Sequence, residues 1–333
     1  MPPQLLVFGN LTREFLLPAV GAPRLDVPGG SALYAAAGAR VWEAESAVGL
    51  VGRVGDDYPR AWLNEVKTRG FDTSGIKILS QTLDVREFYS YTESFEPNQV
   101  NPITQFARRA MTFPKSLLGY QPAQERDMGE TSRLVVTDIP GDYLSARAAL
   151  ICPMELSTQN QLIAGLKSGN THTFILDPSP ANFTPKAKRE LPAFLNGVTA
   201  LLLSQEELRN LFWGETHDLW EMAAAVTAYG CEYVVIKCGA QGQLLFMKGM
   251  NKKYEIPAYP ARVADLTGAG YAFDGGFLAG YCKNYDPLEG VFYGSVSASL
   301  KLEGNGAFYP LEVMPGLAEA RLNAVKDLVR EAR

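Results

Sequence analysis

The chain has little that could serve a disulfide framework or a zinc site. Four cysteines (Cys152, Cys231, Cys238 and Cys282) are spread over 333 residues without a CxxC pair, and the two histidines, His172 and His217, supply no cluster with them. The thiols are expected to be reduced and mostly in the core, and both histidines to lie on the surface. Long apolar runs are also missing. No segment reaches the roughly 20 residues that span a bilayer. Met1 to Leu6 carries no basic residue and is not read as a signal peptide. A cytoplasmic protein with no membrane partner is the expectation. An excess of one charge is absent too: 31 Lys and Arg against 36 Asp and Glu give a net charge of −5, and the basic residues are scattered, so no nucleic-acid partner is expected. With 47% hydrophobic residues the chain is too apolar for intrinsic disorder and long enough to bury one large core or two ordinary ones.

What is present is alternation. Short apolar runs at 5–8, 46–51, 148–151, 173–176, 200–203, 233–236 and 244–246 are separated by amphipathic stretches such as 58–69, 158–167 and 219–229. Strand and helix repeated in this way predict an α/β fold with a mostly parallel sheet and helices on both faces. Ligands in such folds sit beyond the carboxyl ends of the strands. Residues 94–135 break the pattern, with Pro97, Pro102, Pro114 and Pro122 and the basic pair Arg108-Arg109. A structureless loop of that length is unusual, so a flap, a lid extension or an oligomer contact is weighed against a mobile surface insertion. Arg108 and Arg109 could touch an anion, and a solvated flap is the competing reading. Trp42, Trp62, Trp213 and Trp220 are read as core or interface.

The most informative stretch is Ala264-Asp-Leu-Thr-Gly-Ala-Gly-Tyr-Ala-Phe-Asp-Gly-Gly-Phe-Leu-Ala-Gly-Tyr281. Phe273, Phe277, Leu278 and Tyr281 share one helical face, so a helix begins near 268–270. Glycines there let the backbone approach a ligand, and the free amides of a helix start favour a phosphate or a developing oxyanion. Close packing against a strand would explain the same glycines. No GxxxxGK[ST] loop and no GxSxG elbow exists, and Gly268 to Phe273 lacks the third glycine of a dinucleotide fingerprint.

In order along the chain, Pro28-Gly-Gly-Ser-Ala-Leu-Tyr-Ala-Ala-Ala37, Gly49-Leu-Val-Gly-Arg-Val-Gly-Asp-Asp57, Asp177-Pro-Ser-Pro180, Ser204-Gln-Glu-Glu207, Lys237-Cys-Gly-Ala-Gln-Gly242 and Asp265 to Tyr271 resemble six motifs of the PfkB (ribokinase-like) family of ATP-dependent sugar and nucleoside kinases. The resemblance covers roughly 1–90 and 145–312. It implies a three-layer α-β-α fold in a single domain over 1–333, with a small β lid at about 11–28 and 80–135. It also implies phosphoryl transfer from ATP with Mg2+ to an alcohol of a small sugar, nucleoside or related metabolite. By similarity, Gly268, Ala269 and Gly270 form the anion hole. Ser204, Glu207, Lys237, Gly239 and Gly242 line the nucleotide side, with Glu207 acting on the metal through water. Glu14, Gly29, Gly30, Tyr34 and Glu155 face the acceptor. Asp265 and Thr267 form a loop associated with a monovalent cation. Relatives often pair as homodimers through the lid.

Several departures fall on side chains that do chemistry. Tyr271 stands where the family has its catalytic Asp, and an unperturbed phenol is only about 0.1% ionised at neutral pH. Losing a general base costs about 10²–10⁴-fold in rate. Asp274 lies one turn along the same helix face, which aims it at the wrong atom, and Asp265 suits a cap of the loop before the helix. Tyr34 replaces a substrate Asn, and Ser204 replaces the Asn of Asn-x-x-Glu. Glu14, beside Arg13, keeps a carboxylate near the place of a sugar-binding Asp. Glu155 fits a substrate-facing role or that of an exposed acid at a helix start. Three readings follow. One is a kinase of unusual acceptor geometry, with Tyr34 and Tyr271 stacking on the ligand. Another is a non-catalytic protein that binds a nucleotide or metabolite, and a dimerisation module is a third.

Overall fold

A computed structural model describes residues 2–98, 101–122 and 132–332. The chain enters through β1 (Leu5–Phe8), crosses β2 (Thr12–Leu17) and β3 (Arg24–Gly29), and returns by α1 (Ser31–Arg40) to β4 (Val48–Val54), α2 (Arg60–Thr68) and β5 (Phe71–Ile78). Next come β6 (Arg86–Tyr91), β7 (Pro97–Asn98) and α3 (Pro102–Arg108). The central repeat is β8 (Ala148–Ile151), α4 (Leu156–Leu166), β9 (Thr173–Leu176), α5 (Leu191–Leu195), β10 (Ala200–Ser204), α6 (Gln205–Leu211), α7 (Leu219–Ala228) and β11 (Tyr233–Lys237). Two hairpin strands, β12 (Gln243–Met247) and β13 (Lys252–Ile256), lead to α8 (Ala269–Asn284), α9 (Pro287–Leu302), α10 (Leu317–Lys326) and β14 (Arg330–Ala332).

The large sheet has the order β14-β13-β12-β11-β10-β9-β8-β1-β4-β5. It is parallel from β5 to β11, and β12, β13 and β14 join antiparallel at one edge. Alternating side chains feed two cores. Leu5, Val7, Leu202 and Val235 face a layer holding α1, α8 and α9, while Leu6, Phe8, Leu201, Leu203, Val234 and Ile236 face one holding α4, α6 and α7. The alanine-rich face of α1 (Ala32, Ala35, Ala36 and Ala39, all fully buried) lets α8 lie against it. This packing sets the start of α8 above the ends of the central strands. Among the described residues no helix is long and apolar enough to cross a membrane.

The apolar runs of the central strands match the observed strands to within a residue or two, except that β4 extends to Val54 through Gly52-Arg53. The edge strands β13 and β14 are half polar (KKYEI and REA) and carry no apolar run, which is why the pattern does not announce them.

A second, four-stranded sheet has the order β3-β2-β6-β7. Its pairing slips between Glu14 and Phe15, and Asp26, the unpaired residue opposite, takes φ 57°. Such a bulge re-aims the neighbouring side chains, and Glu14 turns inward. Residues 94–135 are not a bare loop where they are described: α3 and the turn at Lys115–Leu117 place Phe106 and Leu117 against Phe15, Leu17 and Phe88 in a third small core. Residues 99–100 and 123–131 of that segment lie outside the described residues. Arg109 is not turned to an anion. It donates to the carbonyls of Leu17, Pro18 and Tyr91 and ties α3 to the small sheet. Trp42, Trp62 and Trp220 pack at the edges of the two main cores, but Trp213 is 78% exposed and is no core residue. His172 and His217 are exposed, and all four cysteines are buried and free.

Candidate active site at the carboxyl edge of the sheet

Helix α8 starts on a loop that must turn sharply. Gly268 has φ 77°, and a Cβ there would lie 2.2 Å from the Tyr34 ring, so both the conformation and the contact demand glycine. The first full helical bond runs from Ala272 N–H to Gly268 O, 2.9 Å. The amides of Gly270 and Tyr271, which precede it, therefore have no intrahelical acceptor and can hold an anion. The loop is braced from below. Asp265 Oδ1 accepts from Thr267 N–H (2.9 Å) and Asp265 Oδ2 from Lys301 Nζ (3.0 Å), and the amides of Ala264 and Asp265 donate to Leu302 O. From above, Tyr91 on β6 exchanges a hydrogen bond of 2.9 Å with Thr267 Oγ1, linking the small sheet to this loop.

A cleft of about 360 Å³ lies between the small sheet and α8, walled by Thr12, Glu14, Gly30, Tyr34, Glu87, Tyr89, Tyr91, Gly268 and Tyr271 among others. Glu14, at 1% exposure, packs where a Cβ on residue 29 would be, 2.0 Å away. Its Oε1 accepts from Gly30 N–H (2.9 Å) and Thr12 Oγ1 (3.2 Å), and its Oε2 from Tyr34 Oη (2.6 Å). Burial pushes the Glu14 carboxyl up to about 7 in spite of these donors, and burial with Glu14 alongside raises the Tyr34 phenol well above its usual range. Tyr34 therefore remains a neutral donor and already holds one of the oxygens that an acceptor hydroxyl would seek.

Next to the anion loop is a buried charge cluster drawn from three elements. Lys237 at the end of β11 places Nζ 3.0 and 3.1 Å from the two oxygens of Asp274 on α8 and 3.4 Å from Asp177 beyond β9. The same Nζ lies 3.9 Å from where a Cβ on Gly270 would be, so the ammonium borders the free amides at the start of α8. Burial raises both carboxyl pKa values, and Lys237 opposes the rise. The Lys237 ammonium is raised, because the attraction of Asp177, Asp274 and Glu207 outweighs its desolvation. Asp274 gives both oxygens to Lys237, is fully buried and is not among the residues that line the cleft. Tyr271 is half-buried. Burial first, then Asp177, Cys152, Asp274 and Glu207, push its phenol well above the usual tyrosine range. It holds its proton at neutral pH.

Ser204 and Glu207 form a reciprocal cap of α6. Glu207 N–H donates to Ser204 Oγ (3.2 Å) and Ser204 N–H donates to Glu207 Oε2 (2.7 Å). Burial raises the Glu207 carboxyl. Gly239 and Gly242 sit in the turn that joins β11 to β12. Of the residues expected at the acceptor, Glu14, Gly30 and Tyr34 line the cleft, Gly29 packs behind Glu14, and Glu155 lies exposed at the start of α4 and pairs with Arg133 at 2.7 Å. Lys301 and the cleft tyrosines Tyr89 and Tyr91 escaped the motif reading, since a lone lysine in an apolar helix and a Tyr-x-Tyr strand carry no local signature. Among the described residues no group of three or more His, Cys, Asp and Glu is placed to hold a metal ion.

A doubly covered parallel sheet, a small sheet over its carboxyl edge and a helix-start anion loop between them define the ribokinase-like class of small-molecule kinases. The chain belongs to the pfkB family of carbohydrate kinases, whose model matches residues 25–314. It is 28% identical over 286 residues to a cytidine kinase of Thermococcus kodakarensis, covering 86% of this chain and 90% of that protein. It is 25% identical over 300 residues to a 5-dehydro-2-deoxygluconokinase of Clostridium perfringens, covering 86% and 79% of the two. An Arabidopsis thaliana ribokinase solved with ribose and ATP superposes with a TM-score of 0.66 at 18% identity, over 98% of this chain and 99% of that one, a likeness of fold. A ribokinase-like protein of E. coli solved with ATP and Mg2+ superposes with a TM-score of 0.71 at 16% identity, over 97% of this chain and 99% of that one.

Proposed function

We propose that this chain binds a sugar or nucleoside in the cleft under the small sheet and a nucleoside triphosphate along 204–207 and 237–242, and that it transfers the γ-phosphoryl group slowly. The small sheet is read as the lid. The phosphoryl group would face the amides of Gly270 and Tyr271 with Lys237 beside them, so charge can be stabilised where it develops. The donor set suits a Mg2+ carried by the nucleotide phosphates and its own waters, with Glu207 reaching it through water. Such an ion would supply charge neutralisation between the phosphates. On the acceptor side Glu14 and the di-glycine turn at 29–30 would orient hydroxyl groups.

The observation that carries the reading of slow transfer is Tyr271. At the position of the expected base stands a phenol whose pKa is raised, not lowered, and Asp274 is fully engaged by Lys237. Neither position 271 nor Asp274 then offers a carboxylate beside the amides of Gly270 and Tyr271 to receive the proton of an acceptor hydroxyl, and Glu14 is held at the di-glycine turn by Gly30, Thr12 and Tyr34.

The test is phosphate transfer from Mg-ATP to a panel of sugars and nucleosides, read by mass spectrometry, with the native chain beside Tyr271→Asp and with ligand binding measured for both. Both proteins should bind, and the variant should form product about 10²–10⁴-fold faster. Native turnover equal to that of the variant would refute the reading of slow transfer. Failure of either protein to bind nucleotide or acceptor would refute the binding assignment.

A further inference from the structure

We infer that the Lys301 ammonium is a built-in counter-ion of the anion loop, occupying the place where a dissociable monovalent cation would otherwise balance Asp265, so that nucleotide binding here is indifferent to K+ and Na+. The inference rests on reading the loop as the phosphate site. Lys301 lies in the last turn of α9 with 0% exposure, and Asp265 is 1% exposed. Nζ donates to Asp265 Oδ2 at 3.0 Å and to the Gly304 carbonyl at 2.9 Å, and it lies 5.6 Å from the centre of the Tyr34 ring.

A buried carboxylate requires a partner charge. The atoms around Nζ are a carboxylate oxygen and a carbonyl oxygen just past the negative end of a helix, a setting that attracts any small cation. The loop at Asp265 and Thr267 is the one that family resemblance associates with a monovalent ion, but the residues present do not fit one. The oxygens that would face it already face an ammonium, and a second cation beside that ammonium would be repelled. Burial pulls the Lys301 amine below the usual lysine range, and Asp265 acts against that pull. The tether changes the physics of the loop. A free ion must be recruited from solution, whereas Lys301 is held in place by the packing of α9 at every salt composition. Because Asp265 Oδ1 also holds Thr267 N–H (2.9 Å), the ammonium fixes the carboxylate that shapes the turn into Gly268.

The experiment compares KCl, NaCl and tetramethylammonium chloride at equal concentration, measuring Mg-ATP affinity by calorimetry and the thermal midpoint without nucleotide. For the native chain both should agree across the three salts to within about twofold in Kd. Lys301→Ala, which empties the position and leaves Asp265 unpaired, should bind Mg-ATP about tenfold or more tightly in K+ than in tetramethylammonium and melt higher in K+. A native chain whose midpoint or affinity rises with K+ or Na+ overturns the inference, and so does a folded Lys301→Ala indifferent to salt. If Lys301→Ala does not fold, the native comparison decides. If the native chain binds no nucleotide in any salt, the phosphate-site reading fails instead, and the salt response of the melting curve still tests the counter-ion.

Discussion

Glu14 offers a measurement in which sign and size both follow from the structure. Its carboxyl lies near pH 7 in the fold against an ordinary value of 4.5, a difference of 7 − 4.5 = 2.5 pH units, caused by burial. The folded state therefore holds the proton more tightly than the unfolded chain. Below pH 4.5 both states are protonated and Glu14 costs nothing. Between 4.5 and 7 the unfolded chain releases its proton first, so stability falls as pH rises, and above 7 the loss is constant. At about 1.4 kcal/mol per unit the total is about 3 kcal/mol. Glu14→Gln keeps the shape and an oxygen for the Gly30 amide but cannot ionise. Urea unfolding of both proteins from pH 5 to pH 8 isolates the residue, because every other titration is shared. The variant should gain on the native chain by about 2.5 kcal/mol between pH 5 and pH 8, since part of the total is already lost by pH 5. A gap independent of pH, or one that shrinks as pH rises, would show that the donors Gly30, Tyr34 and Thr12 outweigh burial and would refute the reasoning.

Two further outcomes concern neighbouring contacts. Lys237→Met leaves Asp177 and Asp274 buried without their cation (4% and 0% exposed) and should destabilise the fold by about 3–5 kcal/mol at pH 8. The loss should shrink toward pH 5 as these carboxyls, already raised by burial, take up protons. Asp274→Asn should cost less, because Lys237 keeps Asp177, and chemical denaturation at the two pH values reads both variants. Tyr91→Phe removes the hydrogen bond between the small sheet and Thr267. By reciprocity, occupation of the cleft and of the phosphate loop should influence each other, and this bond bounds its share at about 0.5–1.5 kcal/mol, roughly two- to tenfold in affinity. Calorimetry with one ligand in the presence and absence of the other should show that share lost in the variant, and unchanged coupling would rule the bond out as the link.

Much of the architecture was legible because the central strands are buried on both faces. Runs such as Leu5–Phe8 and Ala148–Ile151 are apolar throughout, and the helices between them show their period. The turn into α8 was legible for a similar reason: Gly268 is demanded by backbone geometry, and such demands are written in residue type. The remaining site features depend on distances between far-separated residues. Asp274 looked misdirected from its helical phase alone, yet its true partner, Lys237, lies 37 positions earlier in the chain. Lys301 resembled any lysine near a helix end until Asp265, 36 positions away, was seen against it. Residues 94–135 showed no element pattern because Phe106 and Leu117 pack on Phe15 and Phe88, a core that no local periodicity reveals. Glu155 was left between two readings, and its exposed place at the start of α4 matches that of an acid at a helix start, because a position after β8 carries no information on which way the side chain leaves.

The cleft wall has a consequence for what it selects. Tyr89, Tyr91, Tyr120 and Tyr271 all border the cleft, and a tyrosine has only two side-chain torsions to immobilise. Tyr91 is already anchored on Thr267, so little freedom remains to be lost when a guest arrives. Long flexible side chains can reshape themselves around many polyols at an entropic cost, whereas a ring-walled slot keeps its shape and discriminates by flatness. If the cleft is the acceptor site as proposed, the panel should show guests that bring a planar base bound more tightly than open-chain sugars of equal hydroxyl count.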